Sequence, residues 1–225
     1  MLEDVGGPVT LPPDRNEESW FPGRISVRLD TDMKAFDEKC KRDRITKSEI
    51  IACAFGIVLA NYTGRDKVAF SYGFSGRSDS RLNNTVGYIA SLLEVCCYTP
   101  EYAPDYLERF RSNLLNLMMF PSMPLVQIMG RYPNAIDVTY LYQTKDKVTY
   151  KMDDTTVKAY SLEKIMPNRE ISFIFQPTEE QDDSIMLHMD YHANLYSEKY
   201  VRRFARDVIT TVNDIISVSI QESTR

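Results

Sequence analysis

The chain has 225 residues, of which 43% are hydrophobic and 26% charged, and its formal net charge is −5 at pH 7. This composition is ordinary for a globular protein, and the length allows one large core or two small ones. Lysine and arginine are scattered along the chain, which argues against a nucleic-acid-binding surface. The longest apolar run, IIACAFGIVLA (50–60), is too short to span a bilayer and long enough for a buried helix, so we expect no membrane partner.

The cysteines and the N-terminus predict the compartment. None of Cys40, Cys53, Cys96 and Cys97 belongs to a CxxC pair, and this usage favours free thiols over a disulfide scaffold. The first residues, MLEDVGGPVTLPPDRNEE, are acidic and proline-rich and do not have the pattern of a secretory signal. We therefore expect a cytoplasmic protein.

The first elements predicted along the chain are a linker, a strand and a helix. Residues 1–20 lack periodicity and contain three prolines before position 14, which predicts a linker or loop. The alternation of RISVRL (24–29) predicts a strand. Asp30 or Thr31 is then placed to cap a helix that runs to about Cys40.

A second helix is predicted from its capping box. Thr46 and Glu49 have the spacing in which each side chain bonds the backbone N–H of the other residue. The helix is expected to continue to about Tyr62 and to stop at Gly64. Because it is apolar nearly all round, we expect it at the centre of the core.

The rest of the chain alternates between strands and helices. Strands are predicted at 67–74, 92–98, 135–143, 170–176 and 185–191, and helices at 103–118, 125–129 and 197–219. This order predicts an α/β fold, an α+β two-layer sandwich in which helices pack on a mixed β-sheet. We expect one domain over 21–220 and a tail at 221–225.

The segment HMDYH contains both histidines of the chain and is a weak metal-site candidate. On a strand, His188, Asp190 and His192 share one face, and two imidazoles with a carboxylate can bind a divalent metal. The preferred interpretation is a half-exposed polar face, with Leu187 and its alternate neighbours toward the core. No nearby Cys/His cluster supplies a further ligand.

Two other polar segments have weaker chemical interpretations. GFSGRSDSR (73–81) lacks the spacing of a nucleophile elbow and that of a phosphate-binding loop. The remaining interpretation is a glycine turn followed by an arginine, which can fix a loop or pair with a carboxylate. EEQDDS (179–184) is interpreted as the solvated turn of a hairpin. The residues therefore provide no complete catalytic set.

Several stretches, taken together, resemble condensation domains of nonribosomal peptide synthetases. The resemblance runs in order and spacing from about Phe21 to Ile216. It is carried by ITKSEIIACAFGIVLANYTGRDKVAFSYGFSGR (45–77), VGYIASLLEV (86–95), MPLVQIM (123–129), RYPNAIDVTYLYQ (131–143) and DYHANLYSEKYVRRFARDVITTVNDI (190–215).

The resemblance implies a two-lobed fold and a catalytic motif that lies in the other lobe. Family members have two lobes similar to chloramphenicol acetyltransferase, with an active-site tunnel between them and an HHxxxDG motif in the N-terminal lobe. This chain contains no HH pair and has about half the family length, so the resemblance implies a C-terminal lobe that is inert alone. It also implies substrates carried on 4′-phosphopantetheine, with no cofactor bound directly. The implied partners are the N-terminal lobe, peptidyl or acyl carrier proteins and an adjacent adenylation domain.

Matching the family motifs residue by residue places some positions beside the tunnel. Arg77 matches a family arginine that supports the tunnel wall. The full set of expected tunnel positions is Gly76, Arg77, Gly87, Ser91, Tyr140 and Tyr142.

Some motif positions depart from the family. Ser71 replaces a glycine, Ser91 replaces an asparagine, and Gln143 ends a strand that closes on asparagine in the family. These departures indicate a divergent member. They keep two alternatives open: half of a coenzyme A-dependent acyltransferase of the same superfamily, and a non-catalytic binding or scaffold lobe.

Overall fold

The structure of the protein is a computed structural model that describes residues 3, 6–77, 80–82, 84–119, 125–133, 135–144, 149–158, 171–180 and 182–221. Its helices are α1 (Met33–Asp43), α2 (Lys47–Thr63), α3 (Tyr106–Met119), α4 (Leu125–Arg131) and α5 (Glu198–Gln221), with a 3-10 turn at Ser80–Leu82. Its strands are β1 (Pro22–Arg28), β2 (Lys67–Phe74), β3 (Ser91–Tyr98), β4 (Val138–Tyr140), β5 (Thr149–Met152), β6 (Thr155–Lys158), β7 (Phe173–Glu179) and β8 (Ile185–His192).

Six strands form one mixed sheet in the order β1-β8-β7-β4-β2-β3. The central strand β4 runs parallel to both β2 and β7, and the remaining neighbours are antiparallel. Strands β5 and β6 form a separate hairpin. The carboxyl ends of β2, β4 and β7 therefore meet at the same edge, where open α/β sheets usually bind ligands.

Helix α2 lies at the centre of the core, as its sequence predicts. Both hydrogen bonds of the Thr46–Glu49 capping box are present, and Gly64 ends the helix in the left-handed conformation at φ 65°. The helix is buried from Glu49 to Ala60. Phe55 packs against Phe70 and Phe175 with ring centroids 5.0 and 4.9 Å away, which joins the helix to two strands of the sheet.

Several element boundaries differ from the sequence prediction. The N-cap of α1 is Asp32, which accepts hydrogen bonds from two backbone N–H groups, and neither Asp30 nor Thr31 caps the helix. The strand predicted at 135–143 is regular only over Val138–Tyr140. The β5–β6 hairpin was not predicted, because its short strands have no long apolar alternation.

The segment predicted as a linker packs against the domain. Its described residues have no regular secondary structure, but Val9 and Leu11 are buried, at 3% and 0% exposure. The Val9 backbone N–H donates to the carbonyl of Ala69, and the Tyr196 hydroxyl donates to that of Leu11. Two isolated apolar residues have no periodicity, so pattern analysis could not detect their burial.

Parts of several predictions fall outside the described residues. They are residues 1, 2, 4 and 5 of the linker, positions 78 and 79 of the glycine-arginine loop, Glu170 at the start of a predicted strand, Gln181 of the EEQDDS turn, and residues 222–225 of the tail. Across the described part of the chain, no single helix is both long and apolar enough to cross a membrane. Helices α1 and α2 reach the required length and apolar composition only when they are taken together, and the chain bends by 101° between them.

Candidate functional site

The HMDYH side chains are engaged in structural contacts on β8. The buried Asp190 carboxylate accepts two hydrogen bonds from the Arg24 guanidinium on β1, one of them 2.7 Å long. His188 Nδ1 lies 2.8 Å from Ser26 Oγ. The buried His192 ring meets Trp20 edge-on, with centroids 5.6 Å apart.

These contacts correct the expected half-exposed face. Asp190 and His192 are only 2% and 5% exposed, while His188 is partly exposed. Burial, followed by the charge of Arg24, lowers the pKa of His188. Among the described residues, no group of three His, Cys, Asp or Glu side chains could hold a metal ion. The arginine neutralises the carboxylate that a metal would need.

A groove of about 890 Å³ opens where the parallel strands β2, β4 and β7 end. Its wall is built from the first turn of α2, the end of β2, the start of β3, the stretch that follows β4, and the last residue of β7. This volume lies in the range of small-molecule sites.

Two of the predicted tunnel residues line this groove. Ser91 begins β3, directly opposite Phe74 in the register with β2. Tyr142 follows β4, and its hydroxyl donates to Glu179 Oε1 at 2.7 Å. Burial, followed by the hydrogen bond to Glu179, raises the pKa of Tyr142 well above its usual value, so this hydroxyl stays protonated as a donor.

Tyr140 lies behind the groove. Its side chain is fully buried, its ring stacks on Tyr72 with centroids 5.2 Å apart, and its hydroxyl donates to the Ser48 carbonyl. Ser48 Oγ in turn lies 2.7 Å from the Tyr72 hydroxyl, and both of these residues line the groove. Tyr140 therefore positions groove residues from the core.

Gly76, Arg77 and Gly87 shape the loop beside the groove. The Arg77 guanidinium donates to the carbonyls of Leu82, Thr85 and Gly87. Gly76 has φ 69°, and a Cβ there would collide with the Ile89 carbonyl oxygen. The arginine thus fixes a loop, one of the two roles expected from its sequence context, and the loop carries Tyr88 and Ala90 into the groove wall.

Two acidic side chains have environments that the sequence did not reveal. EEQDDS lies at the turn of the β7–β8 hairpin, as predicted, but its first residue, Glu179, faces the groove. Glu94 on β3 is 3% exposed, and burial raises its pKa to about 7 despite a hydrogen bond with Ser71. Neither residue has a sequence pattern that distinguishes it from a surface glutamate.

The mixed sheet, its central helix and the groove at the strand ends define one lobe of a chloramphenicol acetyltransferase-like fold. The family model described as "Condensation domain" matches residues 1–223. The chain belongs to the condensation domain family.

Two synthetases and one solved condensation domain are similar to this chain. The nonribosomal peptide synthetase inpB of Emericella nidulans is 31% identical over 116 residues, which cover 49% of this chain and 5% of that protein. Tyrocidine synthase 2 of Brevibacillus parabrevis is 22% identical over 200 residues, 84% of this chain and 6% of its own length. The solved condensation domain of the monacolin K polyketide synthase MokA superposes with a TM-score of 0.69 at 14% identity, over 92% of this chain and 53% of that structure.

The chain therefore spans about half the length of the solved domain and a small part of the two synthetases. The family match confirms the resemblance, and the likeness to the solved domain confirms the predicted fold class. Assignment of the individual tunnel residues and of the domain boundaries stays a prediction.

Proposed function

We propose that this chain is the C-terminal lobe of a condensation domain that joins carrier-bound aminoacyl or peptidyl thioesters by amide-bond formation. The family match over residues 1–223 carries this proposal. The substrates would arrive on the 4′-phosphopantetheine arms of carrier proteins, and an adenylation domain and the N-terminal lobe would be partners in the same cytoplasmic synthetase. No cofactor bound directly by the chain is proposed.

The groove is the part of this chain that we assign to substrate contact. Its mixed lining, with Phe74 and Leu92 beside Ser91 and Tyr142, can pack an aminoacyl side chain and orient its polar atoms. Holding two thioester-linked reactants in a fixed orientation supplies much of the rate of such a reaction. The loop fixed by Arg77 would keep this wall rigid during the reaction.

The catalytic base in this proposal comes from the N-terminal lobe. The chain contains two histidines, and both are committed to contacts on β8: His188 with Ser26 and His192 with Trp20. Neither histidine lines the groove. A histidine of the partner lobe would assist attack of the acceptor amine on the thioester carbon, and the chain alone would be inert.

A reconstitution assay tests this proposal. The chain is incubated with an aminoacyl donor carrier and an aminoacyl acceptor carrier, with and without the separately expressed N-terminal lobe, and dipeptidyl carrier is measured by mass spectrometry. We expect product only when both lobes are present. Turnover by the chain alone would refute the assignment of the base, and absence of turnover by the intact parent domain would refute amide-bond formation.

A non-catalytic binding lobe is the second candidate. It is favoured by Ser91, which lies in the groove where the family motif has asparagine. In this case the intact parent domain would bind loaded carrier proteins and form no amide bond. Ser91→Asn separates the two candidates, because restored turnover in this variant would show that the parent has lost activity at this position.

A further inference from the structure

Glu179 is the acidic residue of the groove. Among the described residues that line it, no other side chain is a carboxylate. Glu179 lies at the last position of β7, next to the stretch that follows β4, and Tyr142 Oη donates to its Oε1 at 2.7 Å. Within the described part of the chain, the carboxylate makes no ion pair.

Among the described residues, the positive groups near the groove are already compensated. Lys47 Nζ lies 2.8 Å from Asp37 Oδ1. The positive end of α2 is matched by Glu49, whose carboxylate accepts a hydrogen bond from the Thr46 backbone N–H at 2.6 Å. The negative charge of Glu179 is therefore not balanced by a cation from these elements.

We propose that Glu179, oriented by Tyr142, binds an ammonium group, so that the groove accepts an aminoacyl substrate that presents one. This inference deepens the proposed function and rests on it for the identity of the substrate. The α-amine of an aminoacyl group and the side-chain amine of a basic residue are both protonated near pH 7. A carboxylate in a partly dry groove attracts such a cation more strongly than one in open solvent.

Tyr142 is a positioning residue in this arrangement. Its hydrogen bond holds Oε1, which leaves Oε2 for the ligand. Tyrosine is protonated at neutral pH, and burial raises the pKa of Tyr142 further, so its hydroxyl remains a donor to the carboxylate. The apolar groove residues Phe74, Leu92 and Leu141 can pack the carbon skeleton of the ligand.

Three small probes test the chain by NMR titration. Glycinamide presents an α-ammonium, Nα-acetyl-lysinamide presents only a side-chain ammonium, and N-acetylglycinamide presents neither. We expect at least one of the two cationic probes to bind the wild-type chain more tightly than N-acetylglycinamide, and the preferred probe identifies the source of the ammonium. Equal binding of all three probes would overturn the inference.

Substitutions test whether Glu179 is the group that binds the cationic probe. Glu179→Gln is expected to weaken binding of the preferred probe about tenfold, the usual scale for a charge-assisted hydrogen bond. Tyr142→Phe is expected to weaken it about threefold, because the carboxylate loses its orienting donor. The matched control, Glu180→Gln, removes the same charge one residue outside the groove lining and should bind as the wild type does. Equal affinities of the Glu179 and Glu180 variants would contradict the inference.

Failure of this inference is distinguishable from failure of the proposed function. In the intact parent domain, Glu179→Gln should raise KM for the aminoacyl carrier about tenfold, with a small effect on kcat. Condensation with an unchanged KM would refute the ammonium site and keep the function. Absence of condensation, with Glu179-dependent probe binding by the chain, would refute the function and keep the site.

Discussion

At the scale of single residues, Glu94 is a carboxyl whose buried environment differs strongly from water. It is 3% exposed on the face of the sheet opposite α2, and Oε2 has no hydrogen-bond partner among the described residues. Ser71 Oγ bonds both Glu94 and the carbonyl of Ala135, which is 2.9 Å away. Ser71 Oγ has one hydrogen, so it cannot donate fully to both acceptors at once. Burial raises the pKa of Glu94 to about 7, so the carboxyl is protonated below that pH.

The raised pKa of Glu94 predicts a pH-dependent stability. The pKa of Glu94 is raised from 4.5 to about 7 in the folded protein, so the folded state binds more protons than the unfolded state between these values. The Glu94 contribution is therefore greatest below the unfolded pKa and decreases as pH rises to the folded one. From pH 5 to pH 8 the free energy of unfolding should fall by about 2 to 3 kcal/mol through this group.

Urea unfolding at pH 5, 6, 7 and 8 measures this contribution. Glu94→Gln should lose that part of the pH dependence, and the exposed Glu101→Gln should retain it. Parallel pH profiles of the wild type and the Glu94 variant would show that the carboxyl is ionised in the folded protein.

At the scale of elements, α2 presses closely against β3. A Cβ built on Gly56 would lie 2.5 Å from Cys97 Cβ and 3.0 Å from Phe70 Cε1, closer than packed carbon atoms approach. Glycine in the middle of a helix normally costs stability relative to alanine. Its presence here is explained by the short distance between the helix and the sheet.

The contact predicts opposite effects for two glycine substitutions. Gly56→Ala should lower the free energy of unfolding by about 1 to 3 kcal/mol, because overpacking outweighs the gain in helix propensity. Gly130→Ala in α4, where nothing lies within 4 Å of the added Cβ, should be neutral or raise it by up to about 1 kcal/mol. Chemical denaturation of both variants measures their free energies of unfolding relative to the wild type. A stabilising effect of Gly56→Ala would show that α2 can move away from the sheet.

At the scale of the whole molecule, one side of the groove exposes apolar surface. Val86 and Tyr88 are 100% and 95% exposed, and Tyr88 belongs to the groove wall. Under the proposed function, the N-terminal lobe would bury these side chains.

This exposure predicts separate effects on stability and on lobe association. Tyr88→Ser should change the free energy of unfolding of the chain by less than about 0.5 kcal/mol, because the side chain makes little contact within it. The same variant should weaken reconstitution with the N-terminal lobe, measured as the lobe concentration that gives half-maximal turnover. An unchanged concentration dependence would place the lobe interface elsewhere. Thr156→Ser, in the separate β5–β6 hairpin, is a suitable control for a conservative change at an exposed position.

Several features of this protein were determined by its sequence alone. The Thr46–Glu49 box and Gly64 specify α2 through hydrogen bonds between residues that are close in the chain, and the apolar composition of that helix specifies its central position. Alternation of apolar and polar residues specifies β1 for the same local reason. The order and spacing of several motifs along the chain are enough to indicate the family, and the family match confirms it.

Other features were decided only by the tertiary structure. Asp190 is buried because Arg24, 166 residues earlier in the chain, neutralises it across a strand pair. Glu179 becomes a groove residue because β4 and β7 run in parallel and bring Tyr142 beside it. Burial, long-range pairing and the resulting charge of a carboxyl depend on contacts between distant segments, and a linear pattern contains no information about which distant segments meet.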